Sequence, residues 1–343
     1  MSSMPIPVFK HVELDQAWLL RLQEEIIAPE LPIVDPHHHL WERGGGYFLD
    51  EMLADANAGH NVVATVFVQC GYGYRTDGPE SLRPVGETEF VASVAEECAK
   101  RNVSTRVCAG IVGTADLMLG DQVDVVLEAH VKAGRGRFRG IRHISARHDA
   151  FSASLLPPPQ HHLMAEPAFR AGFARLNAFN LTFDAWLYHT QIDELTALAR
   201  AFPDTPIVLN HVGGPLGVGP YAGKRDEVFM HWLASIKTLA TCPNVRVKLG
   251  GLAMAITGFT FHTEPLPPSS GELAKAWRPY IDACIENFGA DRCMFESNSP
   301  VDKGMCSYPV LWNAYKRIAS GASDTEKAAL FHDTAASFYR LRS

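Results

Sequence analysis

Three consecutive histidines, His37, His38 and His39, follow an apolar run at residues 31–34 that is typical of a buried strand. Because alternate residues of an extended chain point to the same side, we expect Asp35, His37 and His39 to share one face and His38 to point to the other. Two neighbouring imidazoles at the carboxyl end of a strand can bind a metal ion or polarise a carbonyl group. A tag is the alternative interpretation, but a tag would lack the strand before it. The pattern therefore predicts a catalytic or metal-binding site.

The rest of the chain alternates between short β-rich runs and longer amphipathic stretches. The predicted strands comprise residues 31–34, 62–68, 106–112, 138–144, 181–187, 206–209, 245–249 and 292–295. The predicted helices comprise residues 89–100, 123–133, 169–179, 191–202, 228–240, 273–288 and 308–341. Eight strands that alternate with helices predict an α/β fold, the (β/α)8 TIM barrel, because an open doubly wound sheet rarely reaches eight units. We expect a single domain over residues 1–343, with long loops over the carboxyl-terminal face and residues 1–30 as an N-terminal extension that packs on the barrel.

Functional residues of such barrels lie at the carboxyl ends of the strands, so the polar residues that follow each predicted strand are candidates. The candidate catalytic residues are His37, His39, His189, His211, Glu296 and Asn298. The candidate substrate-binding residues are Arg139, Arg142, Tyr188, Lys248, Trp41 and Gln69. The two arginines either pair with nearby carboxylates or bind a carboxylate or sulfonate of a substrate. His189 likewise either begins a helix or belongs to the site.

The combination of these histidines resembles the amidohydrolase superfamily, and specifically its Amidohydrolase 2 branch. The family pattern D-x-H-x-H is matched by Asp35, His37 and His39, and the later histidines of the family are matched by His189 and His211. The branch includes lactonases of dicarboxylate and sugar substrates and metal-dependent decarboxylases. The resemblance extends over nearly the whole chain and implies the same barrel fold.

One departure from the family pattern follows the last predicted strand. The family has Gly-Ser-Asp-Trp-Pro there, with the aspartate as metal ligand or general base, whereas this chain has Glu-Ser-Asn-Ser-Pro with Asn298 in the place of the aspartate. An amide cannot take a proton from water. Glu296 lies two positions before Asn298, so its side chain is expected on the same face, pointing into the barrel one layer lower. Glu296 is then either a substitute base or a buried anion paired with a neighbouring histidine or with Lys248.

The resemblance implies that the chain is a hydrolase that opens a cyclic ester of a small acidic or polyhydroxylated substrate. It implies one divalent ion, Zn²⁺ or Mn²⁺, held by His37, His39 and His189, although a site without metal is also compatible with the sequence because Asn298 replaces the expected aspartate. His211 would complete the metal shell or bind the developing oxyanion. Two alternatives stay open. One is a metal-dependent non-oxidative decarboxylase on the same scaffold, and the other is a catalytically inactive barrel that serves in binding.

Composition narrows the classes of function. The formal net charge of −7 over 343 residues argues against electrostatic binding of nucleic acid. No apolar run approaches the ~20 residues of a membrane span. Seven scattered cysteines without a C-x-x-C pair, and the lack of a secretory signal pattern, lead us to expect reduced thiols and a cytoplasmic location. The expected partner is a small-molecule substrate, and a homodimer is compatible with the sequence.

Overall fold

The eight predicted strands form one parallel barrel in a computed structural model that describes residues 10–151 and 158–341. The strands are β1 (Pro32–His38), β2 (Asn61–Val68), β3 (Arg106–Gly113), β4 (Phe138–Ile141), β5 (Thr182–Ala185), β6 (Ile207–Leu209), β7 (Val245–Leu249) and β8 (Cys293–Phe295). Each strand pairs in parallel with the next one in chain order. The backbone N–H of His39 donates to the carbonyl oxygen of Ser299 (2.8 Å), which joins the end of β1 to the segment after β8. The prediction of an α/β (β/α)8 TIM barrel is confirmed.

Helices surround the barrel and lie mainly between consecutive strands. They are α1 (Gln16–Leu19), α2 (Leu49–Ala56), α3 (Val85–Lys100), α4 (Asp124–Ala133), α5 (Pro167–Ala178), α6 (Ile192–Ala201), α7 (Arg225–Leu239), α8 (Ser270–Phe288), α9 (Tyr308–Ile318), α10 (Asp324–Ala328) and α11 (Thr334–Phe338). The sequence pattern does not predict α2, because eight residues are too few for helical periodicity to stand out. The predicted helical region at residues 308–341 is interrupted, since Ser323 caps a new helix, α10. No helix within the described ranges is long and apolar enough to cross a membrane.

The interior of the barrel holds a layer of apolar side chains, and polar side chains gather where the strands end. The apolar interior side chains are those of Val34, Ala64, Val66, Val68, Val112, Val208 and Met294. Phe338 and Tyr339 at the end of α11 pack against them. The polar side chains lie above this layer, where the strands end and the long loops begin, so the fold concentrates polar chemistry on one face.

The predicted alternation of side chains in β1 breaks at Asp35. The register of β1 on β2 shifts between Asp35 and His38, which is typical of a bulge. The carboxylate of Asp35 accepts hydrogen bonds from the hydroxyl of Tyr308 in α9 (3.1 Å) and from the backbone N–H of Ser297 (3.0 Å). The prediction that Asp35 shares a face with His37 is therefore wrong. Asp35 instead ties the end of β1 to α9 and to the segment after β8.

The segment before β1 lies against the outer helices. The indole N–H of Trp18 donates to the carbonyl oxygen of Glu264 (3.0 Å) in the loop before α8. The backbone N–H of Ile27 donates to the side-chain oxygen of Asn313 (2.9 Å) in α9. These contacts hold the segment in place from residue 18 onwards, while Lys10 and His11 lie over the carboxyl-terminal face of the barrel.

Candidate active site

Two histidines and a glutamate from different strands meet at the carboxyl-terminal end of the barrel. His37 lies in β1, His211 follows β6 and Glu296 follows β8, and all three side chains are buried. Oε1 of Glu296 accepts hydrogen bonds from Nδ1 of His211 (2.7 Å) and from the backbone N–H of the same residue (3.0 Å). Oε2 of Glu296 lies 2.8 Å from Nδ1 of His37. The carboxylate therefore bridges the two imidazoles.

Two glycines after β7 make room for this cluster. A Cβ atom at Gly250 would lie 2.5 Å from Cγ of Glu296, and one at Gly251 would lie 2.5 Å from Cγ of His211. Both distances are shorter than real Cβ contacts, so any larger residue would displace the cluster. His211 itself has a φ of +55°, a conformation that costs on the order of 1–3 kcal/mol for a residue with a side chain. The backbone is thus shaped around His211 and Glu296.

Hydrogen-bond partners set the protonation of two site histidines. Nδ1 of His211 donates to Glu296, and Nδ1 of His39 donates to the carbonyl oxygen of Val68 (2.7 Å), so Nε2 of each ring keeps its lone pair. Burial lowers the pKa of His211, although the nearby Glu296 opposes this effect. Burial, assisted by the charge of Arg142, lowers the pKa of His39 well below its ordinary value. Both rings are therefore neutral bases at neutral pH.

An ion pair lies next to His37 in the barrel interior. Nζ of Lys248 donates to Asp184 (2.7 Å) and to the carbonyl oxygen of Pro36 (2.8 Å), and it lies 3.2 Å from Nδ1 of His37. The hydroxyl of Tyr339 also donates to Asp184 (2.9 Å). Both charged side chains are completely buried. Burial and then the charge of Lys248 lower the pKa of His37 well below its ordinary value, so this ring is neutral too.

A cavity of about 290 Å³ opens above this cluster on the carboxyl-terminal face. The predicted site residues that line it are His39, Trp41, Gln69, Arg142, His211 and Asn298. The predicted residues His37, Lys248 and Glu296 lie below its floor and have no exposed surface. The place and size of the cavity suit a small organic molecule, since barrel enzymes bind their substrates at this end of the strands.

The guanidinium group of Arg142 is fixed at the floor of the cavity. Its Nε donates to Oε1 of Gln69 (3.3 Å), its Nη2 donates to the backbone carbonyl oxygen of the same residue, and its Nη1 lies 3.4 Å from Nε2 of His37. The amide of Gln69 in turn donates to the hydroxyl of Tyr74 (3.3 Å). Burial lowers the pKa of Arg142, but arginine starts so high that it stays protonated in proteins. The floor of the cavity therefore carries a fixed positive charge.

Arg139 and Arg142 lie at different ends of the barrel. Nη1 of Arg139 donates to the carbonyl oxygen of Gly136 (2.8 Å), which precedes β4, whereas Arg142 follows β4 and reaches the cavity floor. The two residues are three positions apart, and in a strand an odd separation puts side chains on opposite faces. The sequence thus contained the signal that only one of these arginines can enter a site inside the barrel.

His189 and Tyr188, which follow β5, do not line the cavity. Nδ1 of His189 accepts a hydrogen bond from the backbone N–H of Leu216 (3.3 Å), and its ring packs against His231 in α7 with 5.9 Å between the ring centroids. Tyr188 is buried, and its ring contacts Trp186. A short 3-10 helix begins at His189 and turns its side chain towards α7.

Asn298 occupies the position where the family resemblance implies an aspartate. It lines the cavity, and its Nδ2 donates to Oδ1 of Asp302 (2.7 Å). Asp302 is completely buried, and burial raises the pKa of its carboxyl group well above the ordinary value. Asn298 has a φ of +51°, in the left-handed region that asparagine tolerates better than most residues. With Nδ2 bound to Asp302, the carbonyl oxygen of the amide is the acceptor that Asn298 can offer to a ligand.

Several residues that line the cavity are absent from the candidates derived from the sequence. They are Lys10, His11, Arg43, Tyr74 and Trp186. Trp186 comes two positions after Asp184 of β5, so the two side chains are expected on the same face of the strand. Strand alternation could therefore have identified Trp186 from the sequence. No local pattern marks Lys10 or His11, because they lie in a part of the chain without regular secondary structure.

His37, His211 and Glu296 form the group that could hold a metal ion among the described residues, with donor atoms within 4.8 Å of one another. Two neutral imidazoles and a carboxylate are a usual donor set for Zn²⁺ and related divalent ions. This group shares only His37 with the ligands implied by the resemblance, which were His37, His39 and His189. His39 lines the cavity beside the group, and His189 lies apart from it.

The fold and the site define a (β/α)8 barrel with a histidine–carboxylate centre beneath a cavity at the carboxyl-terminal face. A model of the Amidohydrolase family, in its second branch, matches residues 34–341. The chain therefore belongs to the Amidohydrolase 2 family. The resemblance drawn from the D-x-H-x-H pattern and the later histidines is confirmed.

Individual relatives are similar over most of their length. The uncharacterized protein y4mH of Sinorhizobium fredii is 34% identical over 335 residues, which are 91% of this chain and 99% of that protein. The L-fucono-1,5-lactonase of Burkholderia ambifaria is 29% identical over 276 residues, which are 79% of this chain and 81% of that enzyme. A crystal structure of an amidohydrolase from Burkholderia multivorans with bound Zn has a TM-score of 0.69 at 24% identity and covers 90% of this chain and 99% of that one. This last likeness shows a shared fold.

Proposed function

We propose that this amidohydrolase opens the cyclic ester of a small acidic or polyhydroxylated lactone by attack of an activated water. The observation that supports this best is the pairing of Glu296 with His211, which places an oriented neutral base at the floor of a cavity. The similarity to an L-fucono-1,5-lactonase agrees with this reaction class.

We assign to His211 the role of the general base that activates the attacking water. Its Nδ1 is bound to Glu296, so Nε2 is the atom that accepts the proton of a water in the cavity. The carboxylate 2.7 Å away stabilises the ring while it is positively charged, and the ring then gives the proton to the alkoxide oxygen that leaves as the ester C–O bond breaks. Both oxygens of Glu296 face histidines, so Glu296 acts through His211 and not directly on the water. The carbonyl oxygen of Asn298 is available to orient the same water.

We assign to Arg142 the role of binding the carbonyl oxygen of the lactone. Gln69 holds its guanidinium in place before a substrate arrives. Negative charge develops on the carbonyl oxygen as water attacks, and a fixed cation in a poorly solvated site stabilises that charge. Trp41 and Trp186 provide flat apolar walls for the ring of the substrate.

A divalent ion such as Zn²⁺ or Mn²⁺ would be held by His37, His211 and Glu296. In that version His211 would be a ligand instead of the base, and the ion would supply a Lewis acid and lower the pKa of a bound water. A centre without metal is also compatible with the geometry, because Arg142 and Lys248 already place two positive charges within 3.4 Å and 3.2 Å of His37. The two versions of the proposal differ in their sensitivity to a chelator.

The first experiment is a hydrolysis assay on a panel of sugar, aromatic-derived and dicarboxylate lactones. Proton release is measured with untagged protein before and after dialysis against a chelator, with His211→Asn as the inactive reference. We expect at least one lactone class to be hydrolysed, and we expect the variant to be slower by roughly 10²–10⁴-fold. Activity that is lost on chelation and restored by Zn²⁺ or Mn²⁺ assigns the version with metal, and unchanged activity assigns the version without it. Failure to hydrolyse any lactone on the panel contradicts the proposed function.

A further inference from the structure

The wall of the cavity includes residues that precede the barrel in the sequence. The region that matches the Amidohydrolase family begins at residue 34, yet Lys10 and His11 line the same cavity as the site residues. The segment is held on the outside of the barrel further along, where the backbone of Ile27 donates to Asn313 in α9. Residues outside the matched family region therefore take part in shaping the site.

Trp41 connects this segment to the floor of the cavity. The ring of His11 stacks on the indole of Trp41 with 5.9 Å between centroids and 20° between planes. The same indole stacks on the ring of His39 at 5.3 Å and 13°. The guanidinium of Arg43 lies 5.1 Å from the centroid of the indole, and its Nη2 donates to the carbonyl oxygen of Cys70 (3.4 Å). The positions of His11 and Arg43 are thus tied to a histidine of the site.

The permanently charged side chains that line the cavity are all cationic. Within the described part of the chain they are Lys10, Arg43 and Arg142, and no aspartate or glutamate is among the lining residues. The chain as a whole has a formal charge of −7, so this positive charge is concentrated locally. Cleft walls of low dielectric constant focus such a field into the cavity and attract anions.

His11 does not add to this charge at neutral pH. Its side chain is exposed, lines the cavity and packs on the indole of Trp41. Loss of hydration next to these groups, followed by the charges of Arg43 and Arg142, lowers the pKa of His11 to about 4. His11 therefore contributes a neutral ring that packs on Trp41, and the cations at the mouth are Lys10 and Arg43.

Within the lactone hydrolase proposed above, we propose that Lys10 and Arg43 bind a carboxylate of the substrate at the mouth of the cavity while its reactive carbonyl lies at Arg142. The substrate class is a lactone that carries a carboxylate substituent on its ring, and the segment before the barrel is a specificity determinant. An ammonium group and a planar guanidinium both form charge-assisted hydrogen bonds with a carboxylate. A neutral polyhydroxylated lactone would leave both charges unmatched.

The test uses the full chain and two matched pairs of probes. Glutarate and its neutral diamide, glutaramide, are compared in binding by calorimetry. The lactone 5-oxotetrahydrofuran-2-carboxylate and its carboxamide are compared as substrates. The test variant is Lys10→Gln/Arg43→Gln, in which both residues are exposed, so thermal unfolding should confirm that it folds. The control, Lys132→Gln/Arg137→Gln, removes the same charges from the segment before β4, at the opposite end of the barrel.

We expect the wild type to bind glutarate at least about tenfold more tightly than glutaramide, and the test variant to lose most of this preference. The control should keep the preference, and higher ionic strength should weaken the binding of glutarate to the wild type. The ratio of kcat/KM for the carboxylate over the carboxamide should fall in the test variant in parallel. Equal binding of both probes by the wild type, or a preference that the test variant retains, would overturn the assignment.

The two proposals fail in different ways. If glutarate binds with the expected preference while no lactone is hydrolysed, the hydrolase proposal fails and the carboxylate site at Lys10 and Arg43 stands. If lactones are hydrolysed without any preference for the carboxylate, the specificity assignment fails and the hydrolase proposal stands.

Discussion

A single oxygen of Glu296 accepts two hydrogen bonds from His211, one from the backbone N–H at 3.0 Å and one from Nδ1 at 2.7 Å. The two bonds fix both the orientation of the imidazole and its tautomer, while the carboxylate remains buried. In the family pattern the carboxylate stands at the position of Asn298. In this chain it lies two residues earlier, beneath the cavity floor, where it reaches His211 and His37.

Replacement of Glu296 by glutamine keeps the shape of the side chain and removes its charge. The neutral amide cannot stabilise a protonated His211, so we expect Glu296→Gln to lower kcat about 10²–10³-fold with a smaller change in KM. Steady-state kinetics on the lactone identified by the panel measure this. Glu286→Gln, at an exposed position of α8, is the matched control and should behave as wild type. Wild-type kcat in Glu296→Gln would exclude the assigned role.

Asparagine substitutions at His211 and His189 form a second matched pair. An asparagine retains a polar atom near the place of Nδ1 but has no counterpart of Nε2. At position 211 it tolerates the φ of +55° and removes the base, so kcat should fall at least about 10²-fold. At position 189 its carbonyl oxygen can still accept from Leu216, so we expect kcat within about fivefold of wild type. A larger loss in His189→Asn than in His211→Asn would reverse the assignment of the base.

Arg142 and Arg139 lie at opposite ends of the barrel. The kcat/KM of their glutamine variants should differ for that reason. Arg142→Gln removes the fixed cation of the cavity floor, and we expect kcat/KM to fall roughly 10²-fold or more. Arg139→Gln changes a residue that binds Gly136 before β4, and we expect kcat/KM within about threefold of wild type. The same lactone assay measures both. Similar losses in the two variants would show that position in the barrel does not decide their roles.

Loss of the cation that pairs with Asp184 should destabilise the fold. Lys248→Met keeps most of the length of the side chain and leaves the carboxylate of Asp184 buried without its cationic partner, at a cost of about 3–5 kcal/mol in the free energy of unfolding. Lys248→Met/Asp184→Asn removes the unpaired charge and should recover part of this loss. Urea denaturation of the wild type, the single variant and the double variant measures both effects. A single variant as stable as the wild type would show that the pair is not needed for stability.

The buried position of His130 predicts that the free energy of unfolding depends on pH. Its Nε2 donates to the carbonyl oxygen of Thr114 (2.9 Å), and its Nδ1 accepts from the hydroxyl of Thr88 (2.8 Å). Burial lowers the pKa of His130 to about 4, whereas an unfolded chain has a histidine pKa of ~6.5. The unfolded state therefore binds the proton first as the pH falls. The contribution of His130, of order 3 kcal/mol, is present above pH ~6.5 and is lost as the pH falls towards 4.

His130→Gln tests this effect, since glutamine keeps one donor and one acceptor and does not titrate. The melting temperature of the variant should fall less than that of the wild type between pH 7 and pH 4.5. Thermal unfolding of both proteins in the same buffers measures the difference. Parallel melting curves at every pH would exclude a contribution from His130.

The strands were predictable because hydrophobic runs and alternation are local properties of the chain. The predicted β7, residues 245–249, coincides with Val245–Leu249, and the predicted β2 differs from Asn61–Val68 by one residue at its start. β5 is shorter than predicted, because the chain leaves the sheet after Ala185 while its sequence stays apolar. Alternation also failed at Asp35, where the bulge in β1 depends on pairing with β2 and not on the composition of β1.

The sequence by itself determined the barrel, the family and the presence of histidines at strand ends, because each of these depends on periodicity and on short patterns of neighbouring residues. Only the tertiary structure decided which polar side chains meet. Glu296 accepts a hydrogen bond from His211, and His189 turns towards α7. Lys10 reaches a cavity built from residues far along the chain. These contacts depend on the directions of loops and on packing between distant segments, and no local pattern encodes either of them.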